Sequence, residues 1–484
     1  MTGRIWTVAI FALCRSFHVR ADVLSACRLS GIEGPARCGV VPVPENPAPP
    51  EARKLDIGVA VLPATSRKAL SDPVLLLMGG PGEASIAEAE YYARWLGPLR
   101  RDRDILFIDQ RGTGKSHRLS CDLYSGVDAA ALLRDVFPVA SVERCARELS
   151  KDADLSQYGY TNFARDIEHI RRQLGYGTLN LFAGSCRQLG YGTLNLFAGS
   201  YGTRAAQVFI REYPQSVRTA MLVSVVPIDV AIPLPMAKGS QAAMDRVLND
   251  CEAQPACHAA FPHVRNELGE MLHRLETHEV KVGVPGQATP VRLHRGRVAE
   301  RLRSMMYRAE GAQRIPQVIH SAYLDDFQPI IDDIISNARA STSAISFGVF
   351  FAIACNEDVA FIGEADIPAA SEGTYLGDYR VRQQQAACAR WPRTPLPTGY
   401  RDPIRTTVPA LFVSGDSDPA TPLWFTGHAA TGFSNRAELV LANRGPTEYL
   451  DCLAGIYRAF VAAGSAAKLD TSACRAEPRP PFKI

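Results

Sequence analysis

Ser200 stands in the stretch Ala198-Gly199-Ser200-Tyr201-Gly202, between the apolar run LNLFA (194–198) and the helix-like TRAAQVFIREY (203–213). A serine at a strand-to-helix junction, with small residues two before and two after, fits the tight turn that displays a nucleophile. The backbone of such a turn is strained, so the flanking side chains must be small. The N–H of the following residue then faces the space where an oxyanion would develop. Ala198 stands where a glycine is usual, and it is still small. The chemistry this pattern suits is acyl transfer: Ser200 attacks a carbonyl, an acyl-enzyme forms, and water releases it.

The same stretch occurs twice. Arg172–Ser185 and Arg187–Ser200 are identical, with Cys186 between them. Ser185 is followed by Cys186 and then by Arg187, where a small residue is required, and the chain re-enters QLGYG instead of a helix. Ser200, not Ser185, is therefore the expected nucleophile. The second copy is expected in the central strand slot and the first as a loop extruded before it. In that loop TLNLFAG would be apolar, β-prone and an aggregation hazard. The alternative, the first copy in the strand slot, would misplace Ser200. Two copies at a fifteen-residue period do not make a solenoid, and the simplest origin is a short tandem duplication in the coding sequence.

The elements that must position the serine are legible as apolar runs. LDIGVAVLPA (55–64) alternates like a strand, while PVLLLM (73–78) and DILFID (104–109) read as buried parallel strands ending in polar or glycine-rich loops. In TNFARDIEHIRRQLG (161–175), Phe163, Ile167, Ile170 and Leu174 share one helical face, and Gly175 can end the helix. TAMLVSV (219–225), PALFVSG (409–415) and AELVLAN (437–443) are further strands. Strands alternating with helices imply an α/β fold with a parallel sheet. The middle opens on the proline-rich IPLPM and turns helical in SQAAMDRVLNDCEA and HVRNELGEMLHRLETH, which predicts an inserted, mainly helical cap. The expected organisation is a signal-like segment over 1–26, core over 27–226, cap over 227–400, and core with a C-terminal tail over 401–484.

Composition is that of an ordinary globular protein. Of 484 residues, 46% are hydrophobic and 21% charged, and a net charge of +3 gives no reason to expect nucleic acid or an anionic membrane as partner. The 12 cysteines are scattered without zinc-site spacing, which suits disulfides outside the cytosol. Arg4 and the apolar run Ile5–Cys14 look like the start of a secretory signal, although Arg15 cuts the run short and no clean cleavage site follows.

Three motifs occur in a specific order: GGPG (79–82), DQRGTGKS (109–116) and GSYGTR (199–204). With CNEDVAF (355–361) and GDSDPATP (415–422), they resemble secreted α/β-hydrolase exopeptidases of the prolyl iminopeptidase and tripeptidyl aminopeptidase type. The resemblance runs from Cys27 to the end, strong in the core and weaker in the cap. It implies an α/β-hydrolase fold, a mostly parallel sheet with an inserted helical cap, and serine-dependent release of residues or short peptides from peptide N-termini. It implies no metal or organic cofactor, a peptide substrate, no membrane partner in the mature form, and a secreted or periplasmic location. The oxyanion donors would be the backbone N–H groups of Tyr201 and Gly80. Asp418 matches the acidic triad member, with Asp416 as the neighbouring alternative. Glu357 and Asp358 would hold the substrate's amine. The pairing implied is Cys27–Cys38, Cys121–Cys145, Cys251–Cys257, Cys355–Cys388 and Cys452–Cys474, leaving Cys14 and Cys186 over.

The resemblance breaks at the histidine. The family's base lies in a stretch like NRGHTEYLDC; here it reads NRGPTEYLDC, with Pro446 in its place. Proline cannot take a proton, and a positioned base typically contributes about 10²–10⁴-fold. After Asp418 the sole histidine is His428, which reads as a surface residue. Impaired activity is therefore expected. The rival readings are a carboxylesterase on the same nucleophile and a catalytically inactive homologue that at most binds peptides.

Overall fold

The computed structural model describes residues 23–48, 53–174, 192–284, 287–446, 450–474 and 479–484. The expectations for the N-terminal signal-like run, for Cys14 and Cys186, and for the body of the first duplicated copy lie outside these residues.

Nine strands form one sheet: β1 (Leu24–Cys27), β2 (Ala36–Pro44), β3 (Lys54–Leu62), β4 (Val74–Leu77), β5 (Ile105–Ile108), β6 (Leu194–Gly199), β7 (Val217–Val223), β10 (Ala410–Gly415) and β11 (Arg436–Leu441). A separate hairpin pairs β8 (Lys281–Val282) with β9 (Val291–Arg292). The spatial order is β1-β2-β3-β5-β4-β6-β7-β10-β11. The six strands from β5 to β11 are mutually parallel, and β1, β2 and β3 add on antiparallel. This is an α/β-hydrolase fold with a mostly parallel sheet. The runs that read as strands are strands, within one or two residues at each end. The hairpin β1–β2 went unpredicted because its residues alternate weakly; it is stapled by Cys27–Cys38.

The central strands are apolar because both faces are covered. Every residue of β4 and of β5 is buried. Apolar burial of this kind contributes roughly 1.5–3 kcal/mol per large side chain. One packed layer contains Ile108, Leu196 and Phe209, the other Phe107, Phe197 and Tyr457. Between β7 and β10 the chain is helical apart from the small hairpin, and several of its helices share a core built on Met244, Met271, Leu302 and Ile319. All five disulfides pair as the resemblance implied. Among the described residues no single helix is long and apolar enough to cross a membrane.

β6 belongs to the second copy of the duplicated segment and sits between β4 and β7. The first copy contributes its Arg172 and Gln173 to the end of the helix Tyr160–Gln173.

Candidate active site

Ser200 occupies the turn between β6 and the helix Tyr201–Glu212, with φ 49° and ψ −125°. A non-glycine residue in this region costs of order 1–3 kcal/mol and persists only where its surroundings hold it. The restraints are visible. The Ser200 N–H donates to the Val223 carbonyl at 2.8 Å. Its own carbonyl accepts from the Thr203 N–H and the Thr203 hydroxyl, and the same hydroxyl accepts from the Val226 N–H at 2.9 Å. The need for small neighbours is equally concrete: a Cβ on Gly202 would lie 2.2 Å from the Leu77 carbonyl oxygen. The helix that follows is buried from Tyr201 to Ile210. Its free first-turn N–H groups and positive end lie beside Ser200.

The loop after β4 approaches from the other side. A Cβ on Gly79 would lie 2.7 Å from the Ser200 Cβ, and Gly80 has φ +50°. Gly80 and Tyr201 thus both border the serine, as oxyanion donors require, and both line one cavity with it. The DQRGTGKS motif holds this region from behind. The Asp109 carboxylate accepts from the Ile86 and Lys115 N–H groups at 2.8 and 2.9 Å. Buried Arg111 forms a bidentate pair with Asp166, at 2.7 and 2.6 Å, and donates to the Glu45 and Gln157 carbonyls. This motif positions loops; it touches no cavity wall.

Asp418 lies in the loop after β10 and is buried. It accepts from the Ala420 and Thr421 N–H groups, each at 2.8 Å, and from the Thr421 hydroxyl. Burial pushes its carboxyl up to about 6, opposed by these donors and by Ser224. Asp416 is engaged elsewhere, accepting from the Asn443 N–H at 2.7 Å. Ser224 connects Asp418 to the next loop, since its hydroxyl also lies 3.4 Å from the Pro446 carbonyl. Pro446 in turn lines the same cavity as Ser200. Position 446 thus borders the same cavity as Ser200 and neighbours the Ser224 hydroxyl. Among the described residues no histidine lines the cavity. His428 is exposed and pairs with Asp229 at 2.7 Å, away from Asp418.

The expectation for Glu357 and Asp358 needs correcting. Neither lines the cavity. Asp358 is fully buried and satisfied by Arg204 at 2.8 Å, the Tyr201 hydroxyl at 3.0 Å and the Ile232 N–H at 3.0 Å. Glu357 accepts from the Tyr160 N–H at 3.0 Å and from the Tyr400 hydroxyl, and burial pushes its carboxyl up to about 7. Asp358 thus clamps the helical segment onto the nucleophile's helix, and Glu357 ties it to the helix Tyr160–Gln173 and to Tyr400. A sequence cannot show that the Arg of GSYGTR is the partner of the Asp in CNEDVAF, because the two lie 154 residues apart.

The cavity has a volume of about 640 Å³. One of its lining carboxylates is Glu83, directly after the GGPG motif, with no ion pair among the described residues. The side chain folds back over the loop: a Cβ on Gly80 would lie 2.8 Å from Glu83 Oε1. Burial and the nearby Glu88 push its carboxyl up to about 8, against the pull of Arg308. Among the described residues no group of His, Cys, Asp and Glu is placed to hold a metal ion.

Comparison with known proteins agrees with this geometry. Residues 72–186 match the model of the alpha/beta hydrolase fold, and residues 373–474 match that of TAP-like proteins. The first match ends at Cys186, inside the duplication. The chain is 28% identical over 254 residues to "Serine protease Hip1" of Mycobacterium tuberculosis, covering 48% of this chain and 45% of that protein. It is 24% identical over 225 residues to "Putative hydrolase YuaR" of Escherichia coli, covering 45% and 41%. The matches thus span less than half the length of these relatives. Among solved structures, proline iminopeptidase of Mycobacterium smegmatis aligns at 14% identity and TM-score 0.42, covering 88% of this chain and 98% of that one. The chain thus has an α/β-hydrolase fold, with one segment similar to the α/β-hydrolase model and a C-terminal segment similar to TAP-like proteins.

Proposed function

We propose that this chain is a serine exopeptidase that removes residues or short peptides from peptide N-termini through an acyl-enzyme on Ser200, and that Pro446 impairs it. Ser200 Oγ attacks the scissile carbonyl, and the Tyr201 and Gly80 N–H groups receive the oxyanion. The proton leaving Oγ has no imidazole to accept it, so activity rests on the oxyanion donors and on substrate positioning. The observation that carries this reading is Pro446 lining the Ser200 cavity while tied through Ser224 to Asp418. The TAP-like segment and the Hip1 similarity favour a peptide over other acyl substrates. Glu83, which lines the cavity without a hydrogen-bonded partner among the described residues, is better placed than Glu357 or Asp358 to meet a substrate's ammonium group. Five disulfides favour a location outside the cytosol.

The test is hydrolysis of fluorogenic aminoacyl and tripeptidyl substrates, free and N-acetylated, by this chain and by Pro446→His. The variant is expected to gain about 10²-fold or more, to lose it again with Ser200→Ala, and to reject acetylated substrates. No gain on any substrate would sink the reading. Equal turnover of acetylated peptides and simple esters would turn it towards a carboxylesterase.

A further inference from the structure

The Ser200 cavity has a cationic lining. Six arginines line it: Arg297, Arg301, Arg303, Arg308, Arg314 and Arg380. The lining carboxylates are Glu83, Glu300 and Glu310. Glu300 is taken up by two of the arginines: Arg303 binds it at 2.7 and 2.9 Å, and Arg380 at 2.8 Å. Arg297 donates to the Leu132 carbonyl at 3.0 Å. That leaves Arg301, Arg308 and Arg314.

Around these three stand Asp333, the exposed Glu310 and Glu83, which attracts Arg308 but which burial pushes up to about 8 and so leaves mostly protonated near neutrality; cations therefore outnumber ionised carboxylates. Arg301 and Arg314 share a single carboxylate, Asp333, at 3.6 and 3.4 Å. The Arg301 Nε is buried without a hydrogen-bond partner. Burial and the repulsion of Arg297 and Arg314 lower the pKa of Arg301, against the pull of Asp333. Arg308 is exposed and has no ion pair among the described residues. The arrangement follows from helix geometry. Arg297, Arg301, Ser304 and Arg308 recur at three- and four-residue spacing along and just past the helix Arg295–Met305, so one face points into the cavity. Arg314 joins them from the next helix, Ala309–Tyr323. Guanidinium groups crowded at a cavity wall, with fewer carboxylates than cations, leave planar donor forks free for a bidentate oxyanion.

We propose that this wall is a carboxylate subsite: the substrate carries a carboxylate away from its scissile bond, received by Arg301, Arg308 and Arg314. The proposal rests on the reading of the Ser200 cavity as the substrate site. In a peptide the carboxylate comes either from an acidic side chain or from a free C-terminus, so the subsite selects acidic or short peptides.

The experiment is calorimetric titration of the full chain with three peptides: Ala-Ala-Gln amide, Ala-Ala-Gln free acid and Ala-Ala-Glu amide. At least one of the two carboxylate peptides is expected to bind tenfold or more tightly than the neutral amide, and which one identifies the source. The gap should shrink between 50 mM and 500 mM NaCl and should vanish in Arg301→Gln/Arg314→Gln, while binding of the neutral amide is retained. Arg308→Gln, at an exposed position, should narrow the gap without any risk to folding. Equal binding of all three peptides, binding of none, or a gap that survives both variants overturns the proposal. Ser200 labelling by a fluorophosphonate, read in parallel on the Pro446→His protein, separates the two ideas. A carboxylate preference without labelling would keep the subsite and sink the peptidase reading; labelling without preference would do the reverse.

Discussion

At the end of β6, Ser200 is held in a strained turn by Val223, Thr203 and the close approach of Leu77 to Gly202. Across the sheet, in the loop after β10, Asp418 is held as firmly by Ala420 and Thr421, but the side chain it would orient is absent. The two regions differ in what their framework depends on. The elbow is maintained by backbone contacts and by the packing of a buried helix, none of which needs a working triad. The acidic loop is likewise complete in itself. On the proposed reading, the framework around Ser200 and Asp418 stands whatever residue occupies position 446, because catalytic residues contribute little to the forces that position them.

Four substitutions would break or sharpen this contrast. The largest effect is expected on the nucleophile's side. Asp358→Ala leaves the fully buried Arg204 without its carboxylate, which typically costs about 3–5 kcal/mol. Chemical denaturation should show that loss, and an unchanged midpoint would mean the clamp is not what holds the cap to the elbow. Next comes Pro446→His, expected to recover about 10²-fold in turnover. Its activity should rise with pH as the new imidazole deprotonates. A flat profile would mean that position 446 does not face both partners.

Glu83→Gln should act through pH. Burial pushes the folded carboxyl up to about 8, well above its ordinary value of 4.5, so the folded state binds more protons than the unfolded one between those values. Ionising Glu83 therefore erodes stability as pH rises through this window. The glutamine variant should match the parent at pH 4.5 and melt higher at pH 9, by about 2 °C or more. A variant that melts lower at pH 9 would show that an ionised Glu83 is paired and welcome. The smallest effect is expected at His428. It forms an exposed pair with Asp229, and such pairs are worth about 0–1 kcal/mol. His428→Ala should leave Ser200 reactivity unchanged; a fall would reveal a substitute base.

Much of the site is legible along the chain because it is local. The small residues around Ser200 and the imidazole missing at 446 are statements about neighbouring residues. The choice between copies is local too, since the position two after Ser185 is Arg187, whereas Gly202 follows Ser200 and tolerates the Leu77 carbonyl. Glu357 and Asp358 were misread because a carboxylate's role depends on its partners. Those partners, Arg204, Tyr160 and Tyr400, come from distant segments. The arginine face at 297, 301 and 308 had a signal, a cation recurring at helical spacing, but the spacing does not say which way the face points.

The sequence by itself determined the strand and helix periodicities of the core, the turn at Ser200 and the proline at position 446, because each follows from steric and chemical properties of adjacent residues. Only the tertiary structure decided that Ser224 lies between Asp418 and the Pro446 carbonyl, that Glu83 lines the cavity, and that six arginines line the same cavity as Ser200. Those outcomes depend on which distant surfaces pack together, and on how burial then changes the cost of each charge.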